Sequence, residues 1–302
     1  MTLVQLKYAV CAAGETSFND ASKKLFLSQP SLSSSIGTLE KELGITIFHK
    51  TRTGISLTKE GEEFIGYARG VLEQYELLDS KYLRKKNKKK RFSVSMQHYP
   101  FAVQAFADMI KECGMDDYEY ELYEETTGRV IEHVKNHKSE LGILYLNDFN
   151  EKVLGKIFLE SRISFHPLAS CNLHVYLWKG HPLADREKIG MEELMEYPFL
   201  SFAQGSQNSL YYAEEVLRTL PFSKRIKVSD RATLLNLMRG INGFTICSGI
   251  SCEEWNEKNF TAVKLDTEET MTIGYLSGTD TKLSDLGERY LTKLKQVLAN
   301  VL

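Results

Sequence analysis

The stretch that decides the fold is SQPSLSSSIGTLEKELGITIFHKTRTGISL, residues 28–57. Pro30 stands where a helix would begin, a position at which its missing N–H costs nothing. Apolar residues then recur every three or four positions until Gly44, which is typical of a helix that buries one face. These residues are Leu32, Ile36, Leu39 and Leu43. Residues 45–57 predict a short hairpin that turns at Thr53 and Gly54.

Two shorter helices are predicted before this stretch. Residues 3–13 carry apolar side chains at helical spacing, and a second helix begins at Phe18, with Ser17 as its N-cap. Leu27 and Ser28 leave only a tight connection between the second and third helices. Three helices followed by a hairpin fit either a winged helix-turn-helix, a module that binds double-stranded DNA, or an unrelated three-helix bundle.

Polar side chains cluster at the start of the third helix. The N-terminal end of a recognition helix enters the major groove, where short donors and acceptors reach base edges. Basic residues in the hairpin would contact backbone phosphates or the minor groove. The predicted DNA contacts are Ser28, Gln29, Pro30, Ser31, Ser33 and Ser34 in the helix, and Lys50 and Arg52 in the wing.

A long fourth helix is predicted from Thr58, which precedes acidic residues as an N-cap does. Apolar and aromatic residues then alternate at steps of four and three, a heptad seam. The seam consists of Phe64, Ala68, Val71, Tyr75, Leu78 and Tyr82. A helix of some 28 residues would be roughly 40 Å long. Such a seam needs a partner, so we expect a homodimer.

Charge is distributed unevenly along the chain. Residues 1–91 hold 16 Lys and Arg against 10 Asp and Glu, a net +6, so the rest carries −8 of the total of −2. A basic N-terminal part on an acidic body indicates that only one end meets a polyanion. Seven of these cations form the run RKKNKKKR, residues 84–91. The run is either a second DNA contact or a solvated linker, and we favour the linker.

Composition and length limit the class of protein. A chain of 302 residues predicts two or three domains. No apolar run approaches the roughly 18 residues that span a bilayer, and the opening residues lack the basic region of a secretion signal. The five cysteines are scattered and form no CxxC pair, which is typical of reduced thiols. We therefore expect a cytoplasmic protein without a membrane partner.

Beyond residue 91, predicted strands and helices alternate, which argues for α/β domains with parallel sheets. The predicted strands are 92–97, 118–124, 141–146, 173–178, 199–202, 225–229 and 243–247, and the helices are 101–113, 127–138, 206–219 and 231–240. Ligands bind at the carboxyl ends of strands in such sheets, and a helix N-terminus can hold an anion. The predicted ligand contacts are Gln97, His98, Tyr99, Thr126, Thr127, Ser201, Phe202 and Cys247.

Several of these motifs, in this order, resemble the LysR-type transcriptional regulators. The recognition helix of that family begins with Ser-Gln-Pro and ends in Leu-Glu-x-Glu-Leu-Gly, as residues 28–30 and 39–44 do here. Phe48 and Arg52 match the wing, and Leu-Thr-Lys-Glu-Gly at 57–61 matches the strand that follows. The resemblance implies a DNA-binding regulator that is not an enzyme.

A looser resemblance extends over the C-terminal part, which is similar to the two-lobed periplasmic binding proteins. It rests on residues 124–127, 140–144, 179–184 and 240–246. In this family the effector lies in the cleft between the lobes. The resemblance therefore implies an effector contacted from both lobes, most clearly at Thr127.

The resemblance also implies an architecture and a set of partners. The fold class is an all-α winged helix-turn-helix, a long linker helix and a two-lobed α/β effector domain. The partners are promoter DNA, a small-molecule effector, a second copy in a homodimer (a tetramer on DNA) and RNA polymerase, with no cofactor. The expected domains are 1–57 for DNA binding, 58–90 for the linker and dimerisation, 91–163 with 269–302 for lobe I, and 164–268 for lobe II.

An alternative hypothesis is a solute-binding or enzymatic α/β protein whose N-terminal module serves only for assembly. His133 and His137 have the spacing of a zinc pair, but without a third ligand a solvated helix face is favoured. Cys247 and Cys252 could form a redox pair, but no cationic neighbour is evident to activate a thiol, so inert thiols are favoured.

Overall fold

The computed structural model describes residues 1–51, 54–79, 90–113, 118–205, 209–217, 219–250 and 259–299. The chain divides into two compact units, Met1–Lys88 and Lys89–Leu302. Several predictions from the sequence lie outside the described residues. They are the DNA contact Arg52, the turn residue Thr53, the seam residue Tyr82, the basic residues 84–89, positions 206–208 and 218 of the predicted helix 206–219, and Cys252.

The N-terminal unit forms the helices and the hairpin expected from the sequence. Its elements are α1 (Leu3–Ala13), α2 (Phe18–Lys24), α3 (Gln29–Leu43), β1 (Phe48–Thr51), β2 (Gly54–Leu57) and α4 (Lys59–Leu78). Each helix begins at a hydroxyl side chain that accepts a backbone N–H: Thr2, Ser17, Ser28 and Thr58. Such a cap contributes about 1 kcal/mol, so local signals alone specify where these helices begin.

Backbone N–H groups of the hairpin and of the residue before it donate hydrogen bonds to the helical part of the unit. Glu40 Oε1, on α3, accepts hydrogen bonds from the backbone N–H groups of Ile47 (2.7 Å) and Phe48 (3.1 Å). On the second strand, the Ile55 N–H donates to the Thr16 carbonyl at 3.0 Å. Gly54 has φ +145°, and a Cβ there would lie 1.9 Å from Thr16 O, so only glycine allows this approach. The wing is thus fixed to the three-helix core.

The second unit carries two sheets with helices packed on them. Its elements are β3 (Lys90–Met96), α5 (Pro100–Cys113), β4 (Tyr118–Glu124), α6 (Thr127–Lys135), β5 (Leu141–Leu146), α7 (Glu151–Glu160), β6 (Ile163–Asn172), β7 (His174–Trp178), β8 (Lys188–Ile189), α8 (Met191–Leu194), β9 (Phe199–Phe202), β10 (Arg225–Val228), α9 (Arg231–Ile241), β11 (Thr245–Cys247), β12 (Phe260–Leu265), β13 (Thr270–Gly278) and α10 (Asp285–Ala299).

The first lobe is built on a sheet whose described strands follow the order β4-β3-β5-β13-β6. Strand β3 pairs parallel with β4 and β5, whereas β13 pairs antiparallel with both β5 and β6. The prediction of parallel sheets is therefore correct for β3, β4 and β5, and also for β9 with β10, and it is wrong for the predicted strands β7 and β11, which pair antiparallel with each other. Strands β13 and β6 add antiparallel pairs to the first-lobe sheet. The reason is the chain path: it leaves this sheet from β6 into β7 and returns from β12 into β13.

The second lobe is built on a sheet of order β11-β7-β12-β8, with the parallel pair β9 and β10 beside it. A parallel bridge between Phe199 and Phe244 joins β9 to the residues that lead into β11. The carboxyl ends of β9 and β11 consequently lie close together. These ends carry the predicted ligand contacts Phe202 and Cys247.

The predicted helix 206–219 is wrong over residues 209–217. Residues 209–217 contain one short 3-10 turn, Leu210–Tyr212, and otherwise follow an irregular path in which Leu217 has φ +64°. Leu210 is 45% exposed, whereas Glu214 and Glu215 are buried. An amphipathic helix would instead bury the leucine and expose the two glutamates. We call residues 209–217 the strap.

Smaller differences concern the ends of elements. Strand β3 begins at Lys90, so Lys90 and Arg91 belong to the sheet rather than to the linker, and the Arg91 guanidinium donates to Glu119 Oε2 at 3.0 Å. Helix α6 ends at Lys135, three residues before the predicted end, because His137 adopts a left-handed φ of 56°. Elements α7, β6, β8, α8 and β12 were not predicted from the sequence.

Candidate functional site

The start of α3 exposes most of the side chains predicted to contact DNA. Gln29, Pro30, Ser31 and Ser34 are exposed, and Ser33 is half-buried. Ser28 is also exposed, but its Oγ accepts from the Ser31 N–H (3.3 Å) and lies 2.7 Å from Ser31 Oγ. Because Ser28 caps the helix, its hydroxyl is only partly available to a base or phosphate.

One exposed side chain beside α3 was missed by the sequence reasoning. Phe26 lies in the turn between α2 and α3, has φ 54° and is 96% exposed. The left-handed conformation turns the chain sharply there and directs an aromatic ring into solvent next to Ser28. The spacing of apolar residues in the sequence placed Phe26 on no helix face. Its exposure is evident only from its backbone conformation.

The basic residues near α3 differ in their surroundings. Lys24 pairs with Glu15, whereas Lys23 is 70% exposed at its side chain and lies 3.6 Å from Asp20. Lys50 lies in β1, opposite Ile55 in the hairpin register. Hydrogen bonds from Ser17 and Thr16, with the nearby Lys23, hold the pKa of the Asp20 carboxyl below its ordinary value.

The predicted dimerisation seam on α4 divides into two parts. Ala68 is 2% exposed and Phe64 packs against the core of its own unit, while the Lys7 ammonium lies 5.1 Å from the centre of the Tyr75 ring. Ala68 is therefore covered by the unit's own residues, whereas Phe64 and Tyr75 are half-buried, and the seam as a dimer surface stays a prediction. Val71 and Leu78 remain exposed.

Tyr67 was not part of the predicted seam but is 72% exposed on the same helix. It precedes Val71 by one helical turn, and Leu78 follows two turns later, so the three side chains form one stripe. This apolar stripe shares Val71 and Leu78 with the predicted seam and adds Tyr67 to it.

In the second unit, the strap brings the two lobes together at His98. The His98 ring, after β3, stacks on Phe202, at the end of β9, with centroids 3.7 Å apart and planes 3° from parallel. His98 Nδ1 lies 2.8 Å from Glu214 Oε2, and both side chains are more than 90% buried. Glu215 Oε1 accepts from the Phe202 N–H at 2.7 Å. The strap therefore supplies two carboxylates to the predicted cleft.

Thr127 and Gln97 belong to a second group of contacts between the first lobe and the strap. The Gln97 amide donates to Thr127 Oγ1 at 2.6 Å, and the Thr127 hydroxyl donates to the Tyr212 carbonyl at 2.8 Å. The Thr127 N–H donates to Gln204 Oε1 at 3.1 Å. Tyr145 adds a hydrogen bond from its hydroxyl to the Ala213 carbonyl at 2.9 Å. These groups are satisfied within the protein.

A cavity of about 100 Å³ lies between the lobes. Its walls come from the first lobe at His98, Tyr99 and Phe101, and from the second lobe and strap at Phe202, Glu214 and Thr245, among others. Burial raises the pKa of the Tyr99 phenol well above its ordinary value, so this hydroxyl stays protonated and donates to Gln97 Oε1 at 2.7 Å.

The predicted ligand contacts divide between cavity and framework. His98, Tyr99, Phe202 and Cys247 line the cavity. The other four do not: Gln97, Thr126, Thr127 and Ser201. Gln97 and Thr127 are held in the hydrogen bonds described above, Ser201 is a buried strand residue, and Thr126 begins α6 without a side-chain capping bond. Glu214, Glu215, Arg231 and Thr245 also line the cavity and were missed.

His133 and His137 carried the zinc alternative, and Cys247 with Cys252 carried the redox alternative. Because Cys252 lies outside the described residues, the redox alternative stays untested. His133 is 4% exposed, its Nδ1 lies 2.7 Å from Ser95 Oγ, and burial lowers its pKa to about 4. The solvated helix face predicted for His133 is therefore wrong, although His137 is exposed. Within the described ranges, no group of three or more His, Cys, Asp or Glu side chains is arranged to hold a metal ion.

A winged helix-turn-helix followed by a two-lobed α/β unit with an internal cavity defines a class of protein: DNA-binding regulators that respond to a small molecule. Comparison with family models is specific. Residues 3–62 match the bacterial regulatory helix-turn-helix proteins of the lysR family, and residues 115–298 match the LysR substrate binding domain. This chain belongs to the LysR family. It is a DNA-binding transcriptional regulator with an effector-binding domain.

Relatives span nearly the whole chain. It is 26% identical over 299 residues to the uncharacterised transcriptional regulator YbhD of Escherichia coli, covering 97% of this chain and 90% of the relative. It is also 26% identical over 215 residues to AlsR of Bacillus subtilis, covering 70% and 67%. Both relatives are named as transcriptional regulators, as the regulator hypothesis expects.

Solved structures show the same fold. CbnR, a LysR family transcriptional regulator, superposes with a TM-score of 0.67 at 16% identity, covering 98% of this chain and 99% of CbnR. A full-length OxyR variant from Pseudomonas aeruginosa gives 0.55 at 20% identity, covering 99% and 94%. In the described parts of this chain, no helix is long and apolar enough to cross a membrane.

Proposed function

We propose that the protein reads promoter DNA with the start of α3. Gln29, Ser31 and Ser34 are the exposed polar side chains placed to meet base edges, with Ser33 at the margin of this surface. Ser28, at the N-terminus of this helix, would contact a phosphate. The wing residues Lys50 and Arg52 would contact the backbone, and Pro30 would shape the helix start.

The exposed stripe of α4 supports dimerisation. Tyr67, Val71 and Leu78 present apolar surface on one side of the helix, and a second copy of the chain would cover it. A dimer presents two recognition helices to two half-sites, as other helix-turn-helix proteins do. Assembly into a tetramer on DNA and contact with RNA polymerase extend this proposal.

The effector would bind in the cavity between the lobes. The observation that carries this proposal is the stack of His98 on Phe202 at the cavity wall, since those residues come from different lobes. A ligand bound there contacts both lobes, so it binds different lobe arrangements with different affinities. Such a difference in affinity shifts the equilibrium between the arrangements. We propose that the protein acts by this shift, without catalysis, in the cytoplasm where bacterial DNA lies.

The test is a fluorescence anisotropy titration. A duplex selected from a random library by the full-length protein is compared with an unselected duplex at rising salt concentration. Specific binding should exceed non-specific binding by about a thousandfold or more. The logarithm of the affinity should fall linearly with the logarithm of salt, with a slope of about −0.9 per phosphate contacted. No selectable duplex, or binding indifferent to salt, would refute the DNA-reading role.

A further inference from the structure

One wall of the cavity between the lobes is a row of three side chains across the second-lobe sheet. Tyr176 of β7 pairs in register with Thr245 of β11 on one side and with Ala262 of β12 on the other. Residues that pair in register point to the same face of a sheet, and all three line the cavity. The Thr245 side chain therefore lies on the face that borders the cavity.

The Thr245 hydroxyl is the polar group on this wall that needs an explanation. Thr245 is 7% exposed, and its Oγ1 has no hydrogen-bond partner in the part of the chain that the structure describes. Buried hydroxyls without a partner are rare, because the group has lost its hydrogen bonds to water and gained none. A valine would fill the same space without this penalty. The threonine therefore indicates a ligand that completes the hydrogen bonding of its hydroxyl.

The charged side chains that the described residues place on the cavity wall are engaged within the protein. His98 Nδ1 lies 2.8 Å from Glu214 Oε2, and both side chains are more than 90% buried. Arg231 is paired with Glu124, and Glu215 accepts a backbone N–H at 2.7 Å. A charged ligand would have to give up its own water and also compete with these contacts. This wall consequently favours a ligand without charge.

The apolar part of the wall and the size of the cavity indicate the body of the ligand. Phe101, Leu234 and Met271 are buried apolar residues that line the cavity. The cavity measures about 100 Å³, whereas a cavity of roughly 150 Å³ holds a benzene molecule. A ligand that fits has roughly four to six non-hydrogen atoms.

We propose that the effector is a small uncharged molecule that carries one hydroxyl or carbonyl oxygen on an apolar body. The Thr245 hydroxyl forms a hydrogen bond with that oxygen, and the body packs against Phe101 and Leu234. This assignment deepens the proposed function, because it names the chemical class that the same cavity takes. It rests on that function only in treating the ligand as the effector.

The first experiment compares charge at constant shape on the wild-type, full-length protein. Isobutanol is compared with isobutylamine, and 3-methyl-2-butanone with isobutyrate, by thermal shift and calorimetry at neutral pH, where the amine and the acid are charged. At ten times its Kd, the alcohol or the ketone should raise the melting temperature by roughly 3–5 °C. Each charged partner should bind at least about tenfold more weakly. Preference for either charged molecule, or no binding by either neutral one, would overturn the proposal.

The second experiment places the ligand oxygen with Thr245→Val, which keeps the shape of the side chain and removes the hydroxyl. Two effects of opposite sign are expected. The unliganded protein should melt roughly 2–6 °C higher, because a buried hydroxyl without a partner is removed. The neutral ligand that binds the wild type should bind about threefold to tenfold more weakly, because one hydrogen bond is lost.

Thr261→Val is the matched control for this substitution. Thr261 is a half-buried threonine of β12 that does not belong to the cavity wall, so its substitution should leave ligand affinity unchanged. A lower melting temperature for Thr245→Val, or ligand affinity equal to that of Thr261→Val, would contradict the assignment. The comparison of probes on the wild type stands even if a variant fails to fold.

DNA binding by the same preparation distinguishes this proposal from the proposed function. If the protein binds its selected duplex but neither neutral probe, the ligand class is wrong and the DNA-reading role stands. If it binds the neutral probes with the expected preference but no duplex, the ligand class stands and the DNA-reading role is wrong.

Discussion

Replacing Thr127 by valine tests the contacts between the first lobe and the strap most directly. Valine keeps the size and branching of the side chain but removes a hydroxyl that accepts from Gln97 and donates to the Tyr212 carbonyl. The first bond is buried and the second is partly buried. The substitution therefore leaves one donor and one acceptor without partners while creating no cavity.

The magnitude follows from these two groups. A buried donor or acceptor that loses its partner costs about 1–3 kcal/mol, and the partly buried carbonyl belongs at the low end. The added methyl group offsets about 1 kcal/mol by burying apolar surface. The net loss should be about 1–3 kcal/mol. For a unit of about 200 residues, this corresponds to a fall in melting temperature of roughly 3–10 °C.

Differential scanning calorimetry of the full-length protein measures this fall, with Thr126→Val as the matched control. Thr126 is the preceding residue, is half-buried and makes no side-chain capping bond. Its substitution should change the melting temperature by less than about 2 °C. If Thr127→Val is as stable as Thr126→Val, the hydrogen bonds that join Gln97, Thr127 and the strap are not formed in solution.

Three further predictions concern other parts of the molecule. Gln29→Ala should weaken binding to the selected duplex by about 1–3 kcal/mol but leave unselected DNA unaffected, which paired anisotropy titrations measure; an equal loss on both duplexes would place Gln29 away from the bases. Val71→Asp puts a charge in the exposed stripe of α4, so sedimentation should show monomers, and an intact dimer would exclude that surface. His133 has a folded pKa of about 4 against 6.5 in the unfolded chain, so its neutral form contributes stability above about pH 6.5 that is lost as the pH falls toward 4. Between about pH 7 and pH 5, urea unfolding of the wild type should lose about 2 kcal/mol more than that of His133→Gln, whereas the exposed control His137→Gln should behave as the wild type does.

The N-terminal unit was predictable because its signals are local. Ser17, Ser28 and Thr58 each accept a backbone N–H at the start of their helices, and Gly44 takes the left-handed conformation that ends α3. Each of these signals acts within a few residues of the boundary that it defines. The boundaries of these helices could therefore be predicted from the sequence alone.

The surface of α4 could be predicted only in part, because periodicity does not say what covers a face. The spacing of Phe64, Ala68, Val71 and Leu78 is that of a heptad seam, yet the first two pack on the unit's own helices. An apolar stripe that turns slowly around a helix can meet its own domain at one end and another chain at the other.

The part of the cavity wall that the strap supplies could not be predicted from the sequence, because the strap is shaped by tertiary contacts. Residues 209–217 have good helix formers, but Tyr211 stacks on Phe149 and Glu214 meets His98, contacts made over long sequence separations. Such contacts override a propensity of a few tenths of a kcal/mol per residue. The position of Gln97 illustrates the same limit: a strand end is visible in sequence, but which of its side chains faces the cavity is not.

Three residues that line the cavity, His98, Phe202 and Glu214, also hold the lobes against each other. His98 stacks on Phe202 and meets Glu214, so any ligand that engages Glu214 changes the strength of a contact between the first lobe and the strap. Binding free energies are reciprocal: if the ligand weakens this contact by some factor, then weakening the contact by substitution must change ligand affinity by the same factor. Ligand affinity and lobe arrangement cannot be tuned independently in such a site. A cavity with these walls is consequently suited to convert occupancy into a change of lobe arrangement, even though it is too small to enclose a large effector.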